Sequence, residues 1–269
     1  MDAVRILIMA VLLAMVAGFT TAEENSQEFQ LMVIGEEYAP YSYLLDNEPA
    51  GLSVDLVEKI TTDLGIPFQR NEVTLHSWQE VFDATVKGNR TLLLAVYRTP
   101  DREDLMQWVG PIATDSSAFF VKSGSDKKID TVEDIKTLKI SVIAGDAHES
   151  LLADYGVTAD NIVTAANLEA LIALVGHDDV DALFHGEQAV TWKMKELDLK
   201  NPLEVAFRLD EQNVWFGLST DVPETTIDSL QASLNSIQLE ENTAEGRDME
   251  IKVTDVQVPS SDTGEVYEF

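Results

Sequence analysis

Two arginines four residues apart, Arg98 and Arg102, follow the apolar run "TLLLAV" (91–96) in "AVYRTPDRED" (95–104). A guanidinium offers a planar fork of donors that suits a carboxylate or a similar anion, so a pair at the end of a buried strand points to anion recognition. Each has a plainer alternative, an ion pair with a neighbouring carboxylate such as Asp101 or Glu103. No cysteine is present, which excludes disulfides, thiol nucleophiles and thiolate metal sites. The four histidines, His76, His148, His177 and His185, show no metal-like spacing, and a surface position or local packing is the expectation for them. No metal and no cofactor are expected.

Short apolar runs alternating with amphipathic segments would position these groups. Strands are predicted over 29–35, 91–97, 139–145, 180–185 and 213–219. Between them, 55–65 places Leu56, Val57, Ile60 and Leu64 on one helical face, with Gly65 as a stop. The segment 77–88 opens with a capping box, Ser77 with Glu80, and 146–156 repeats the device with Asp146 and Glu149. A further helix, 167–176, starts on Asn167. This alternation predicts an α/β protein with mostly parallel sheets. Ligands of open α/β sheets bind beyond the carboxyl ends of the strands, which here are 36–43, 98–104, 145–150 and 185–190.

The chain has 269 residues, 45% of them apolar, enough for one large or two modest cores. Its 18 basic against 48 acidic residues give a net charge of −30, which argues against nucleic acid and anionic membrane surfaces as partners. The start, "MDAVR" and then "ILIMAVLLAMVAGF" (6–19) before "TTA", reads as a signal peptide cleaved near Ala22, and so as an exported protein. The alternative is an uncleaved membrane anchor. Residues 251–269 read as an acidic solvated tail.

Four stretches, in order, resemble the family 3 extracellular solute-binding proteins that serve polar amino acid uptake. They are "YAPYSYLLDNEPAGLSVDLVEKITTDLGI" (38–66), "RTPDRED" with "WVGPI" (98–112), "DTVEDIKTLKISVIAGDAHESLL" (130–152) and "VDALFHGEQAV" (180–190). The resemblance implies a two-lobed type II periplasmic binding protein fold with the ligand cleft between the lobes. Lobe one would comprise 23–117 and 213–250 and lobe two 118–212, with crossings at 116–124 and 211–219. It further implies that Tyr38 stacks on the ligand and that Arg102 clamps its carboxylate, with Tyr41, Tyr97, Arg98, Ser116 and Ser117 bordering the cleft. The chain departs from the family where an aspartate usually holds the ammonium group: Gly186 stands there, with Glu187 beside it. Ala147, beside Asp146, stands where the family has a serine or threonine. Glu187 or Asp146 would be the substitute anion. The implied function is capture of a small carboxylate-bearing solute, amino acid or related organic acid, by a monomer that delivers it to the permease of an ABC importer. Two alternatives are a ligand-sensing module for a membrane receptor and a cyclohexadienyl dehydratase-like enzyme on the same fold. A non-enzyme is expected, because Glu187 has no matched partner for acid–base work.

Overall fold

The computed structural model describes residues 31–200 and 202–245; the expected leader (1–22) and tail (251–269) lie outside them. In chain order the strands are β1 (Met32–Gly35), β2 (Tyr43–Leu45), β3 (Glu48–Ala50), β4 (Thr74–Leu75), β5 (Thr91–Tyr97), β6 (Gln107–Lys122), β7 (Ile140–Ile143), β8 (Ile162–Ala165), β9 (Ala182–Gly186) and β10 (Leu203–Leu218). The helices are α1 (Leu52–Asp63), α2 (Trp78–Lys87), α3 (Ala147–Asp154), α4 (Leu168–Gly176), α5 (Glu187–Glu196) and α6 (Glu224–Glu245). Among the described residues no helix is long and apolar enough to cross a membrane.

The unbroken apolar run at 91–97 becomes β5, all seven residues buried, as a strand covered on both faces requires. It is one of eight strands ordered β4-β1-β5-β10-β6-β9-β7-β8, with β2 and β3 forming a separate hairpin. At one end β4, β1 and β5 run parallel, and at the other so do β9, β7 and β8. The centre is antiparallel, where two 16-residue strands, β6 and β10, run alongside each other. The carboxyl half of β10 pairs with β5, and the carboxyl half of β6 pairs with β9. Each long strand therefore belongs to both lobes and carries the chain across. The crossings were expected only at 116–124 and 211–219. Both strands begin well before those stretches, in outer halves whose mixed polar and apolar residues, with Val109 and Ile112 of β6 buried among them, show no regular alternation to read.

Local sequence chemistry sets the helix starts. Ser77 and Glu80 close the expected capping box on α2, with the Ser77 N–H donating to Glu80 Oε2 over 3.1 Å. Asp146 caps α3 by accepting from the Ala147 N–H at 2.6 Å. Glu149 reaches one residue further back than a capping box would, to the Gly145 N–H at 2.7 Å. Asn167 caps α4 through the Ala170 N–H at 2.9 Å. In lobe two, Phe119 of β6 stacks on Phe184 of β9 with ring centroids 4.2 Å apart, which locks the crossing strand to the strand that ends at the cleft.

Candidate functional site

The ends of β1, β5 and β9 and the start of α3 converge on a small pocket of about 20 Å³. Lobe one lines it with Glu36, Tyr38, Trp78 and Arg102, and lobe two with Asp146 and His185. The lobes meet at the Gly145 carbonyl, which accepts from Trp78 Nε1 at 2.9 Å and from Arg102 Nη2 at 3.3 Å. These two bonds join the lobes beside the pocket, and the Tyr38–His185 and Tyr97–His148 ring contacts cross there as well. A larger hollow of about 180 Å³ lies away from it, walled by Leu31, Val57, Ile60, Phe68, Val109 and Leu230, and it lacks a convergent set of polar groups.

Arg102 is 3% exposed. Its guanidinium lies over Trp78 at 4.8 Å and over Phe82 at 5.3 Å from the ring centroids. Burial lowers its pKa, opposed by the charges of Asp146 and Asp101, yet a guanidinium stays protonated in a protein. Nη1 is buried with no hydrogen-bond partner. A buried unpaired donor costs about 1–3 kcal/mol, and more on a cation, a cost that an incoming anion removes. Arg98 is engaged elsewhere. It is exposed, its Nε donates to Glu103 Oε2 at 2.7 Å, and it lies over Trp215 and Trp108.

Asp115, on β6, is 2% exposed and faces two phenols: Tyr97 Oη donates to its Oδ2 at 3.3 Å and Tyr38 Oη at 3.4 Å. The two hydroxyls are 3.2 Å apart, and Tyr41 stacks behind Tyr38 at 5.3 Å. Burial pushes the Asp115 carboxyl up to about 6, tempered by the backbone N–H groups of Gln188 and Ser116. Burial likewise raises both phenols, which stay neutral donors. Gly186 explains the arrangement. A Cβ there would come within 2.2 Å of Tyr38 Oη and 2.8 Å of Asp115 Oδ2. The Asp115 carboxylate and the Tyr38 phenol occupy the volume that a side chain at 186 would fill.

Behind them, His148 Nε2 is 2.9 Å from Ser117 Oγ, and His148 Nδ1 is 2.6 Å from Asp146 Oδ2. His185 Nδ1 approaches the same Asp146 oxygen at 3.4 Å without a well-aligned hydrogen bond. Burial opposes ionisation of Asp146, but His148 and then His185 outweigh it and hold the carboxyl well below its ordinary range. Burial lowers the His185 pKa, only partly offset by Asp146. Glu36 keeps an opening to solvent, yet the surrounding protein, then Asp146, then Glu37, push its carboxyl up to about 8.

The pocket thus gathers Tyr38, Tyr97, Arg102 and Asp146 from the expected set, with Tyr41 packed behind Tyr38 and Gly186 against the Tyr38 hydroxyl and Asp115. Ala147 is buried at the first position of α3, and Ser116 is half-buried opposite Glu211. Glu187 pairs with Arg208, Nε to Oε2 at 2.5 Å and Nη2 to Oε1 at 2.7 Å, and does not line the pocket. Glu36, Trp78, Asp115, His148 and His185 are functional candidates that sequence reasoning passed over, whereas Ser117, a crossing residue expected with Ser116 to border the cleft, sits behind the pocket on His148. Two of the four histidines, which have no local metal spacing, meet through the tertiary fold.

No curated protein sequence is significantly similar to this chain. Among solved structures, a histidine kinase sensor domain with similarity to periplasmic binding proteins superposes with a TM-score of 0.72 at 19% identity, covering 82% of this chain and 95% of that one. An ancestral arginine-binding protein bound to glutamine gives 0.69 at 17%, covering 80% and 94%. An ancestral amino acid-binding protein described as a precursor of cyclohexadienyl dehydratase gives 0.67 at 18%, covering 84% and 96%. These likenesses establish the type II periplasmic binding protein fold. The family model for bacterial extracellular solute-binding proteins, family 3, matches residues 31–252, and this chain belongs to that family.

Proposed function

We propose that this chain is an exported receptor that closes on an amino acid or a close analogue and hands it to the permease of an ABC importer. The supporting observation is Arg102, a buried guanidinium with an unpaired Nη1 on the pocket between the lobes. The solute carboxylate takes that donor, and Tyr38 stacks on its body. The ammonium goes to Asp115, which supplies from β6 the negative charge that Gly186 lacks. Neither Glu187 nor Asp146 takes this part, since Glu187 is spent on Arg208 and Asp146 on His148 and the α3 cap. Residues 23–117 with 213–250 then act as one lobe and 118–212 as the other, hinged on β6 and β10. The leader is removed near Ala22, and the receptor works as a monomer. It binds and releases its solute unchanged, because Glu187, the candidate acid–base group, is held by an ion pair.

A thermal-shift panel in EDTA buffer, covering the amino acids, dicarboxylates and polyamines, tests this reading. A solute at a hundred times its Kd stabilises by about 2.7 kcal/mol, which raises Tm by roughly 5–10 °C for a chain of this size. Absence of a shift with every carboxylate-bearing solute overturns it. The likeness to a kinase sensor domain favours one second reading, presentation of the same solute to a membrane receptor. Solute uptake by membranes carrying the cognate permease separates the two.

A further inference from the structure

Asp146, His148 and His185 reach one point from two elements, the start of α3 and the end of β9, and their ligand atoms all lie within 4.8 Å of one another. All three are buried, His148 fully. Their ring planes are fixed by packing: the His148 ring meets the Phe184 edge at 4.7 Å, and the His185 ring meets Tyr38 at 5.4 Å. Ser117 Oγ occupies His148 Nε2, the outer-nitrogen partner that orients a metal-bound imidazole. That leaves both Nδ1 atoms aimed at Asp146 Oδ2, one at 2.6 Å and the other at 3.4 Å. The second of these is a buried polar atom with no hydrogen bond of its own.

We propose that Asp146 Oδ2, His148 Nδ1 and His185 Nδ1 form a divalent transition-metal site of the zinc class in the lobe-two wall, with its remaining coordination positions open to the pocket. Two imidazoles and one carboxylate suit zinc and its first-row neighbours, whereas calcium and magnesium take oxygen ligands. Ligand bonds of about 2.0–2.2 Å in a tetrahedral arrangement place ligand atoms roughly 3.3 Å apart. The His185–Asp146 pair already has that separation, and the His148–Asp146 pair attains it once the metal takes the place of the hydrogen bond between them. Asp146 and His185 also line the solute pocket, which gives the open positions their direction.

The test uses Zn²⁺ and Co²⁺ alone on EDTA-stripped protein, without solute, in 0.5 M NaCl to screen the acidic surface. The expected result is one chelator-competing site per chain, with visible absorption bands of low-coordinate Co²⁺ and no competition from Mg²⁺ or Ca²⁺. His185→Gln and Asp146→Asn should each weaken it by at least about tenfold, with metal-free melting of His185→Gln serving as the fold control. Equal affinity of wild type and both variants overturns the site. Should the variants fold poorly, wild-type crystals soaked in Zn²⁺ decide: an anomalous peak among the three ligand atoms supports it, and its absence overturns it. Because no solute is present, failure here leaves the amino-acid reading standing, and the panel in EDTA can fail without touching the metal site.

Discussion

Replacing Arg102 by lysine keeps a positive charge in the cleft but removes the planar fork. The guanidinium is held by three things: the Trp78 and Phe82 faces and the Gly145 carbonyl across the lobe boundary. That leaves Nη1 for the ligand. A charge-assisted hydrogen bond contributes roughly 1.5–3 kcal/mol, and a lysine ammonium can serve the ligand or Gly145 but not both with the same geometry. Loss of one such bond means at least about a tenfold fall in affinity, since ~1.4 kcal/mol is one decade. Stacking adds to the loss, because an ammonium has no plane to lay on the indole. Stability should change little, as the residue contributes a buried cation rather than core volume. Calorimetric titration with the best solute from the panel reads the affinity, and melting curves without solute control for folding. Arg98→Lys should have a much smaller effect, since its partner is Glu103. Wild-type affinity in Arg102→Lys would refute the clamp and leave Arg102 as a strut between Trp78 and Gly145.

The other groups of the cleft give three further expectations. Asp115 titrates at about 6, so affinity for an ammonium-bearing solute should fall as pH drops below 6, by up to about tenfold per unit, and Asp115→Asn should bind weakly with that pH dependence gone. The Glu36 carboxyl, at about 8 in the folded protein against 4.5 in an unfolded chain, favours the neutral form, so its contribution to stability is full below 4.5 and is lost as pH rises through 8. Urea denaturation of solute-free protein from pH 6 to 9 should show that decline, and Glu36→Gln should flatten it. Gly186→Ala should lower both solute affinity and Tm, because its methyl meets the Tyr38 phenol at 2.2 Å and the Asp115 carboxylate at 2.8 Å; unaltered binding would mean that the wall has more give than its contacts allow.

The sequence made the strands legible where burial is two-sided and the helices where a cap is local. β5 has the limits its apolar run predicts, and α2 sits between Ser77 and Gly88 as its capping box and stop require. β6 and β10 were half legible, because in their amino-terminal halves buried, half-buried and exposed residues follow no two-residue period that could be read. The same distinction runs through the site. Tyr38 and Arg102 sit in contiguous motifs beside strand ends, so short stretches of chain carry their signal. Asp115 lies 71 positions before Gly186, and the relation between them is visible only in the pairing of Ser117 with Gly186 across β6 and β9. A glycine where the family resemblance leads one to expect a carboxylate reads, in one dimension, as a lost group. In the fold it is the space into which a carboxylate from the neighbouring strand reaches. His148 and His185 follow the same logic, since the spacing that matters for them is the step between parallel strands β7 and β9. A site built on a crossing strand is set by register, and register belongs to pairs of segments rather than to either one.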